Sequence, residues 1–436
     1  MNQLLSYAER MAPRYTSYPT TPHFSADIGA STHNLWLGAL PKQALLSLYI
    51  HVPYCHRLCW YCGCNAYAFC RPEVVETYVS DLLKEIELSA KAASSHSVDE
   101  IHWGGGTPNS LSPEQILRIM TGLRENFALS PLANHAVEMD PRTLSDEHIS
   151  TYRAAGVNRA SLGVQDLTAH VQAAMGRIQP IEIVDSAVAR LRAGEISHIS
   201  FDLMYGLPDQ TTNDILSTAQ LACQLEPDRV SIFGYAHVPW FRKRQRLIDE
   251  SKLPGPAERL EQAGAAREAL LAHGYVSIGI DHFAKPHDQL ARAAAAGLLR
   301  RNFQGYVIGS ADAIVGLGPS SISTFPQGFT QNQASVSAWR TALSKATFAS
   351  CRGHALNDDD RLRGELISSI MCTFSAILPE TFDAEREALK QMARDNLVAF
   401  DGRSVRVLDH AKPYTRLVAQ VLDAYAATAA RHSLAV

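Results

Sequence analysis

Short runs of β-branched, aromatic and aliphatic residues alternate with stretches of helical hydrophobic spacing over the first half of the chain. The strand-like runs are 45–52 (LLSLYIHV), 99–105, 135–140, 159–165, 198–206 and 229–235. Between them, apolar positions recur at helical intervals over 73–91, 113–126, 145–155, 181–193 and 212–225. Six successive βα units predict a parallel sheet with right-handed crossovers. The fold class expected is α/β: a TIM-type barrel, partial with six βα units, carrying its chemistry at the C-terminal strand ends. A doubly wound open sheet is the competing arrangement.

After about residue 240 the rhythm breaks. A charged stretch, FRKRQRLIDESKLPGP, leads into a helical pattern at 257–273, and the glycine- and aromatic-rich run that follows resembles no repeat. A new module begins near 357. Asp358 to Asp360 suit a helix start. Leu362, Leu366, Ile367, Ile370 and Met371 recur at helical spacing, Asp401-Gly402 marks a hairpin, and a last helix is expected near 414–430. The expected division is an N-terminal arm (1–40), a barrel with its covering segments (41–356) and a smaller, mostly helical winged-helix-like domain (357–436).

Winged helices often read DNA, but residues 357–436 carry ten Lys/Arg against twelve Asp/Glu, where a DNA reader should be basic. A packing lid on the barrel is the better expectation. The whole chain of 436 residues has a formal net charge of −4, 46% hydrophobic and 19% charged residues. That balance offers no field for nucleic acid or an anionic membrane. No run of 18–20 apolar residues and no leader-like segment stands out, so a cytoplasmic location is expected.

Reduced thiols then become informative. Residues 54–64 read YCHRLCWYCGC, with the spacing C-x3-C-x2-C-x-C. Structural zinc usually takes a second ligand pair downstream, and none follows. Compact cysteine runs hold four-iron clusters. C-x3-C-x2-C supplies three ligands and leaves a fourth iron open to a substrate or cofactor. Cys70, Cys223, Cys351 and Cys372 are scattered and read as packed or incidental thiols.

This spacing after a first barrel strand resembles the radical S-adenosylmethionine (SAM) superfamily. PRYTSYPT (13–20), LYIHVPYCHRLCWYCGCN (48–65), IHWGGGTP (101–108), VEMDPR (137–142), DLMYGLP (202–208), DHFAKP (281–286) and RNFQGY (301–306), in that order, closely resemble the family of oxygen-independent coproporphyrinogen III oxidases. The resemblance implies one 4Fe-4S cluster on Cys55, Cys59 and Cys62, with Cys64 off the iron. It implies two SAM molecules. The first falls to Tyr49, Gly105, Glu138 and Ile322, and the second to Tyr61, Gly106, Thr107, Gln165, Arg177, Asp202 and Ala236. It further implies reductive cleavage of SAM to an adenosyl radical, oxidative decarboxylation of two propionates of coproporphyrinogen III to vinyl groups, and a separate electron donor and acceptor. A monomer is expected. The alternatives within the superfamily are a haem chaperone or another haem-modifying relative; Cys64 and RNFQGY favour the enzyme over the chaperone.

The residues themselves allow plainer readings. Gly104 to Gly106 would make a tight turn, or admit a ligand to the backbone. Arg177 and Asp202 would make an ordinary surface pair. A substrate with four propionates needs cations around a flat apolar slot. Arg14, Arg242, Lys243, Arg244, Arg246 and Arg301 are candidates for the cations, and His51, Tyr54, His282 and Phe303 for the walls. No side chain is assigned as catalytic.

Overall fold

The computed structural model describes residues 2–68, 71–93, 96–309 and 311–426, with side chains from residue 5 onward; Cys70 lies outside them. Six parallel strands form the centre of one mixed sheet. They are β1 (Leu45–Val52), β2 (Ser97–Gly105), β3 (Ala128–Met139), β4 (Arg159–Gln165), β5 (His198–Tyr205) and β6 (Arg229–Gly234). The helices between them are α1 (Pro72–Ala93), α2 (Pro113–Asn126), α3 (Asp146–Ala155), α4 (Ile181–Ala193) and α5 (Thr212–Gln224). Local chemistry sets their starts: Ser112, Ser145 and Thr211 each cap the helix that follows through a reciprocal capping box.

Six further strands complete the sheet: β7 (Val276–Ile278), β8 (His282–Ala284), β9 (Ala313–Leu317), β10 (Ile322–Phe325), β11 (Gly328–Asn332) and β12 (Ser350–Ala355). The order is β12-β11-β10-β9-β1-β2-β3-β4-β5-β6-β8-β7, with the two edge strands unpaired to each other. The barrel is thus partial. The parallel run is longer than the six βα units suggested, because β9 pairs parallel with β1 from its outer side. No helix-period segment introduces AIVGL, so the alternation in the sequence gave no sign of it.

Period-two alternation decides what each strand face does. Outward positions are apolar and fully buried: Leu46, Leu48 and Ile50 on β1, Ile101 and Trp103 on β2, Leu162 and Val164 on β4, Ile199 and Phe201 on β5, Val230 on β6. They pack with the inner faces of α1 to α5 into one large core. The inward face is polar instead, with Tyr49, His102, Glu138, Ser161, Asp202 and Ser231 on successive strands. A closed barrel of this size would fill its interior with side chains. This one leaves room there.

α1 is tied to the sheet by a buried carboxylate. Glu85 accepts from the Gly318 N–H (2.6 Å), Asn332 Nδ2 (2.7 Å) and Trp339 Nε1 (3.1 Å). Burial still dominates and raises its pKa to about 7.

The C-terminal part has its own core. α6 (Pro256–Ala272) on the barrel side faces α7 (Asp358–Thr373), α8 (Asp383–Arg394), α9 (Thr415–Gln420) and a three-stranded antiparallel sheet of 375–377, 398–400 and 404–407. In chain order α7 and α8 are followed by the strands 398–400 and 404–407 and then α9, with an added strand between α7 and α8. The last helix is shorter than the expected 414–430. Tyr18 Oη and Asp423 Oδ1 take the N–H groups of Ala424 and Tyr425, which a continuing helix would have used, and residues 427–430 lie outside the described ones. Tyr7, Ala8, Ala12, Tyr15 and Tyr18 pack into this second core, whereas Trp36, Leu37 and Leu40 belong to the first. Residues 7–18 therefore run across the C-terminal part and bring Arg14 to the barrel mouth.

Candidate active site

The loop after β1 carries the thiols over the C-terminal strand ends. It is pinned from two sides. The Trp60 N–H donates to Met175 O (3.2 Å), and buried Gln245 donates to both Tyr61 O (2.7 Å) and Ala236 O (3.1 Å). A cavity of about 500 Å³ opens beside it. Cys55, Cys59 and Cys62 line it together with Tyr61, Gly105, Gly106, Thr107, Glu138, Gln165, Arg177, Asp202 and Ala236. Tyr49 and Ile322 line an adjoining cavity of about 460 Å³, which shares Cys64, Gly105 and Glu138. Every cofactor position expected from the sequence thus lines one of two adjoining cavities.

Each of the three thiols meets a hydrogen-bond donor from a different segment. Thr107 Oγ1 donates to Cys55 Sγ (3.3 Å), Arg177 Nη1 to Cys59 Sγ (3.3 Å), and the Cys64 N–H to Cys62 Sγ (3.4 Å). Arg142 Nη2 reaches the same Cys59 sulfur at 3.6 Å. Such donors stabilise thiolates. Among the described residues, no three His, Cys, Asp or Glu side chains converge on a position for a single ion. Three thiols around a shared cavity, each with a donor, fit the corners of an iron–sulfur cube better than a lone zinc.

Arg177 does not pair with Asp202, so the surface-pair reading fails. It is buried against Asp140 (3.3 Å) and donates to Gly163 O (2.6 Å). Arg142 holds the same carboxylate through Nη2 (2.6 Å). Burial pushes Asp140 up, and the two arginines more than reverse this, leaving its pKa below the usual carboxylate value. Burial likewise opposes the charge on Arg177, but Tyr61, Asp140 and Cys59 outweigh it. Among the described residues, buried Arg177 Nε has no hydrogen-bond partner. Asp140 and Arg142 escaped the sequence reading. Their signal was the Asp-x-Arg in VEMDPR, a short turn in which the carboxylate accepts from the N–H two residues on (3.0 Å).

Asp202 lies deep on β5, with Ser161 Oγ donating to it (3.2 Å). Burial, then nearby Glu138, lifts its pKa to about 6. Glu138 is half-exposed and accepts from His102 Nε2 at 3.0 Å. Tyr49 stacks on the same His102 ring, with centroids 5.9 Å apart. His51 is a satisfied structural histidine, between Tyr49 Oη (3.2 Å) and Asn65 O (3.0 Å).

The triple glycine is held to that residue type by its protein neighbours. Gly105 has φ +101°, and a Cβ there would lie 2.6 Å from the His51 ring; one on Gly106 would meet Tyr54 O at 2.7 Å. Protein neighbours alone demand glycine here, and the same absence of side chains bares the backbone to the cavity. The basic run splits by position. Arg244 lines the larger cavity and Arg242 the adjoining one, while Lys243 and Arg246 face outward. Phe303 and Gln304 line the adjoining cavity as well.

A parallel-stranded partial barrel with three thiols on its first loop defines a class, and comparison with known proteins agrees. The Radical SAM superfamily description matches residues 49–222. The oxygen-independent coproporphyrinogen III oxidase of Bradyrhizobium diazoefficiens is 43% identical over 97% of this chain and 96% of its own length. That of Paracoccus denitrificans is 41% identical over 99% and 98%. The solved structure of coproporphyrinogen III oxidase (HemN) from Escherichia coli, described as a radical SAM enzyme, superposes with a TM-score of 0.90 at 35% identity, over 94% of this chain and 97% of that one. The chain belongs to the oxygen-independent coproporphyrinogen III oxidase family. Among the described residues no helix is long and apolar enough to cross a membrane.

Proposed function

We propose that the two adjoining cavities work as one reaction chamber for the oxygen-independent oxidation of coproporphyrinogen III. The chain is a radical SAM oxidoreductase of porphyrin and haem biosynthesis, using a 4Fe-4S cluster and SAM to turn two propionates into vinyl groups. The observation that carries the site assignment is the lining itself: three thiols and eleven further residues, drawn from seven strands and the loops after them, line two adjoining cavities.

When bound, the cluster and SAM supply a one-electron reductive cleavage that yields methionine and an adenosyl radical. The chain's own residues bind and orient. Cys55, Cys59 and Cys62 would hold the cluster, with Thr107, Arg177 and the Cys64 N–H supporting their sulfurs. Bare backbone at Gly105 and Gly106 and the carboxylates of Glu138 and Asp202 suit ammonium and ribose donors. Arg177, charged and buried, suits a carboxylate. Gln245 ties the Cys loop to the β6 loop beside this chamber.

In this reading the electron donor and acceptor are separate molecules, and the chain acts as a monomer without nucleic acid or membrane. The chaperone alternative has no observation of its own.

The test is an anaerobic assay of the reconstituted protein with SAM, a reductant and coproporphyrinogen III, followed by porphyrin chromatography. Protoporphyrin should appear with one methionine and one 5′-deoxyadenosine per vinyl group. Haem bound without any decarboxylation would overturn the reading.

A further inference from the structure

Residues 238–248 pack against the cysteine loop and turn a basic, aromatic face to solvent. Arg244 Nη2 donates to Ala66 O (3.3 Å), and buried Gln245 donates to Tyr61 O (2.7 Å), the residue before Cys62. Lys243–Leu247 form a 3-10 helix. Side chains three apart eclipse in such a helix, so Lys243 and Arg246 share a face. Both are exposed, and neither lines the two cavities of the candidate site.

Three large apolar side chains accompany them. Trp240 is 52% exposed, Phe241 68% and Leu247 60%. Arg242 lies over the Phe241 ring, its guanidinium carbon 4.5 Å from the centroid. Single exposed apolar residues are ordinary, but a group of them rimmed by charge marks an interaction surface. The rim here has one sign. Residues 54–68 and 238–248 contain Arg57, Arg242, Lys243, Arg244 and Arg246 and no Asp or Glu. The acidic residues that follow are engaged elsewhere: Asp249 accepts from Ser251 Oγ (2.7 Å), and Glu250 from His237 Nε2 (2.9 Å).

We propose that this face is the docking surface for a small acidic protein that carries single electrons, and that it places the carrier beside the thiol loop. The inference rests on the radical SAM reading, which requires an electron from outside the chain. One electron passes from the carrier, which is oxidised, to the cluster held by Cys55, Cys59 and Cys62, which is reduced; no bond forms or breaks. Weak electron-transfer encounters use small interfaces, and complementary charge brings the partners together. A few exposed rings among five cations suit such a partner. An anionic membrane would also attract cations and rings, but the position of the patch, joined through Gln245 to the residue beside a cluster ligand, favours the carrier.

The test uses cluster-loaded full-length protein and two acidic carriers as probes, a flavodoxin and a 2Fe-2S ferredoxin. Binding of each oxidised carrier is measured by biolayer interferometry, and cluster reduction by each reduced carrier by stopped-flow absorbance. In Lys243→Glu/Arg246→Glu, affinity and second-order reduction rate should fall about tenfold at low ionic strength for at least one carrier. The gap should close as salt is raised toward about 1 M. Phe241→Ala should weaken binding at every salt concentration. Lys390→Glu, on the exposed face of α8, should match wild type. Iron content and reduction by dithionite should be equal in all, which separates lost docking from misfolding.

Failure of wild type to bind either carrier, or wild-type binding and reduction rates in the charge-reversed variant, overturns the proposal. So does binding to phosphatidylserine vesicles that the same substitutions abolish while neither carrier binds. If wild type makes no protoporphyrin yet is reduced by a carrier in a Lys243- and Arg246-dependent way, the oxidase reading falls and the docking surface stands. If dithionite drives protoporphyrin formation and the charge-reversed variant takes electrons from both carriers normally, the docking surface falls and the oxidase reading stands.

Discussion

Arg177 Nη1 stands 3.3 Å from Cys59 Sγ, across 118 positions of sequence. The same guanidinium faces the chamber proposed for SAM, so one side chain joins the cluster side of the site to the cofactor side.

Replacing it should therefore be felt in the cluster itself. In Arg177→Gln, Asp140 keeps Arg142 as its partner, so the buried carboxylate is not orphaned. Iron content should hold. Loss of a charged donor to a thiolate disfavours the reduced cluster, and its potential should fall by roughly 60 mV, a tenfold change for one electron. EPR-monitored redox titration measures this. A potential equal to wild type would limit Arg177 to binding.

Cys64 offers the complementary case. What it gives Cys62 is its backbone N–H, which alanine retains. Cys64→Ala should keep its iron, whereas alanine at Cys55, Cys59 or Cys62 should lose it. SAM should still perturb the EPR signal of the Cys64→Ala cluster. If that variant loses iron as the other three do, the cluster has four thiolate ligands and the open-corner reading is wrong.

Asp202 should give SAM binding a pH dependence. With its pKa raised to about 6 by burial and by Glu138, it is charged above that value and neutral below it. A neutral Asp202 no longer attracts a cationic ligand. SAM affinity should fall as pH drops through about 6, and Asp202→Asn should bind weakly at every pH with that step removed. Equilibrium binding between pH 5 and 8 decides it. An identical pH profile in the variant would place the titration elsewhere.

Glu85 should limit stability at neutral pH. Its native pKa of about 7 lies above the ordinary 4.5, so the native state favours the proton. That contribution is fully present below about 4.5 and is lost as pH rises through 7. The total is about 3 kcal/mol for a shift of this size. Glu85→Gln cannot ionise, so its stability relative to wild type should improve by about that amount from pH 4.5 to 8. Denaturant melts of both proteins across the range measure it. A constant difference would mean that the three donors around the carboxylate already hold it ionised.

The strand and helix rhythm of the first 235 residues was legible because parallel βα units repeat: each strand is bounded by turn residues and each helix shows its own period. The cysteine loop was equally legible, since thiol ligands for one cluster can be supplied by a single short stretch. So was the parity of the strand residues: Tyr49, Glu138, Gln165 and Asp202 sit at alternate positions that must share the face opposite the helices.

What the sequence could not supply was pairing between distant segments. β9 joins β1 because a parallel neighbour needs only matching backbone, which leaves no mark on AIVGL itself. Arg177 finds Asp140 and Cys59 rather than Asp202 because the turn after β4 swings it toward the cysteine loop, and side-chain direction in a turn is set by the packed whole. Arg14, Arg259 and Arg416 line one cavity although they are far apart in sequence, because the arm and the C-terminal part pack against the barrel. Local periodicity fixes elements and faces; charge proximity across hundreds of residues depends on how those faces are finally packed.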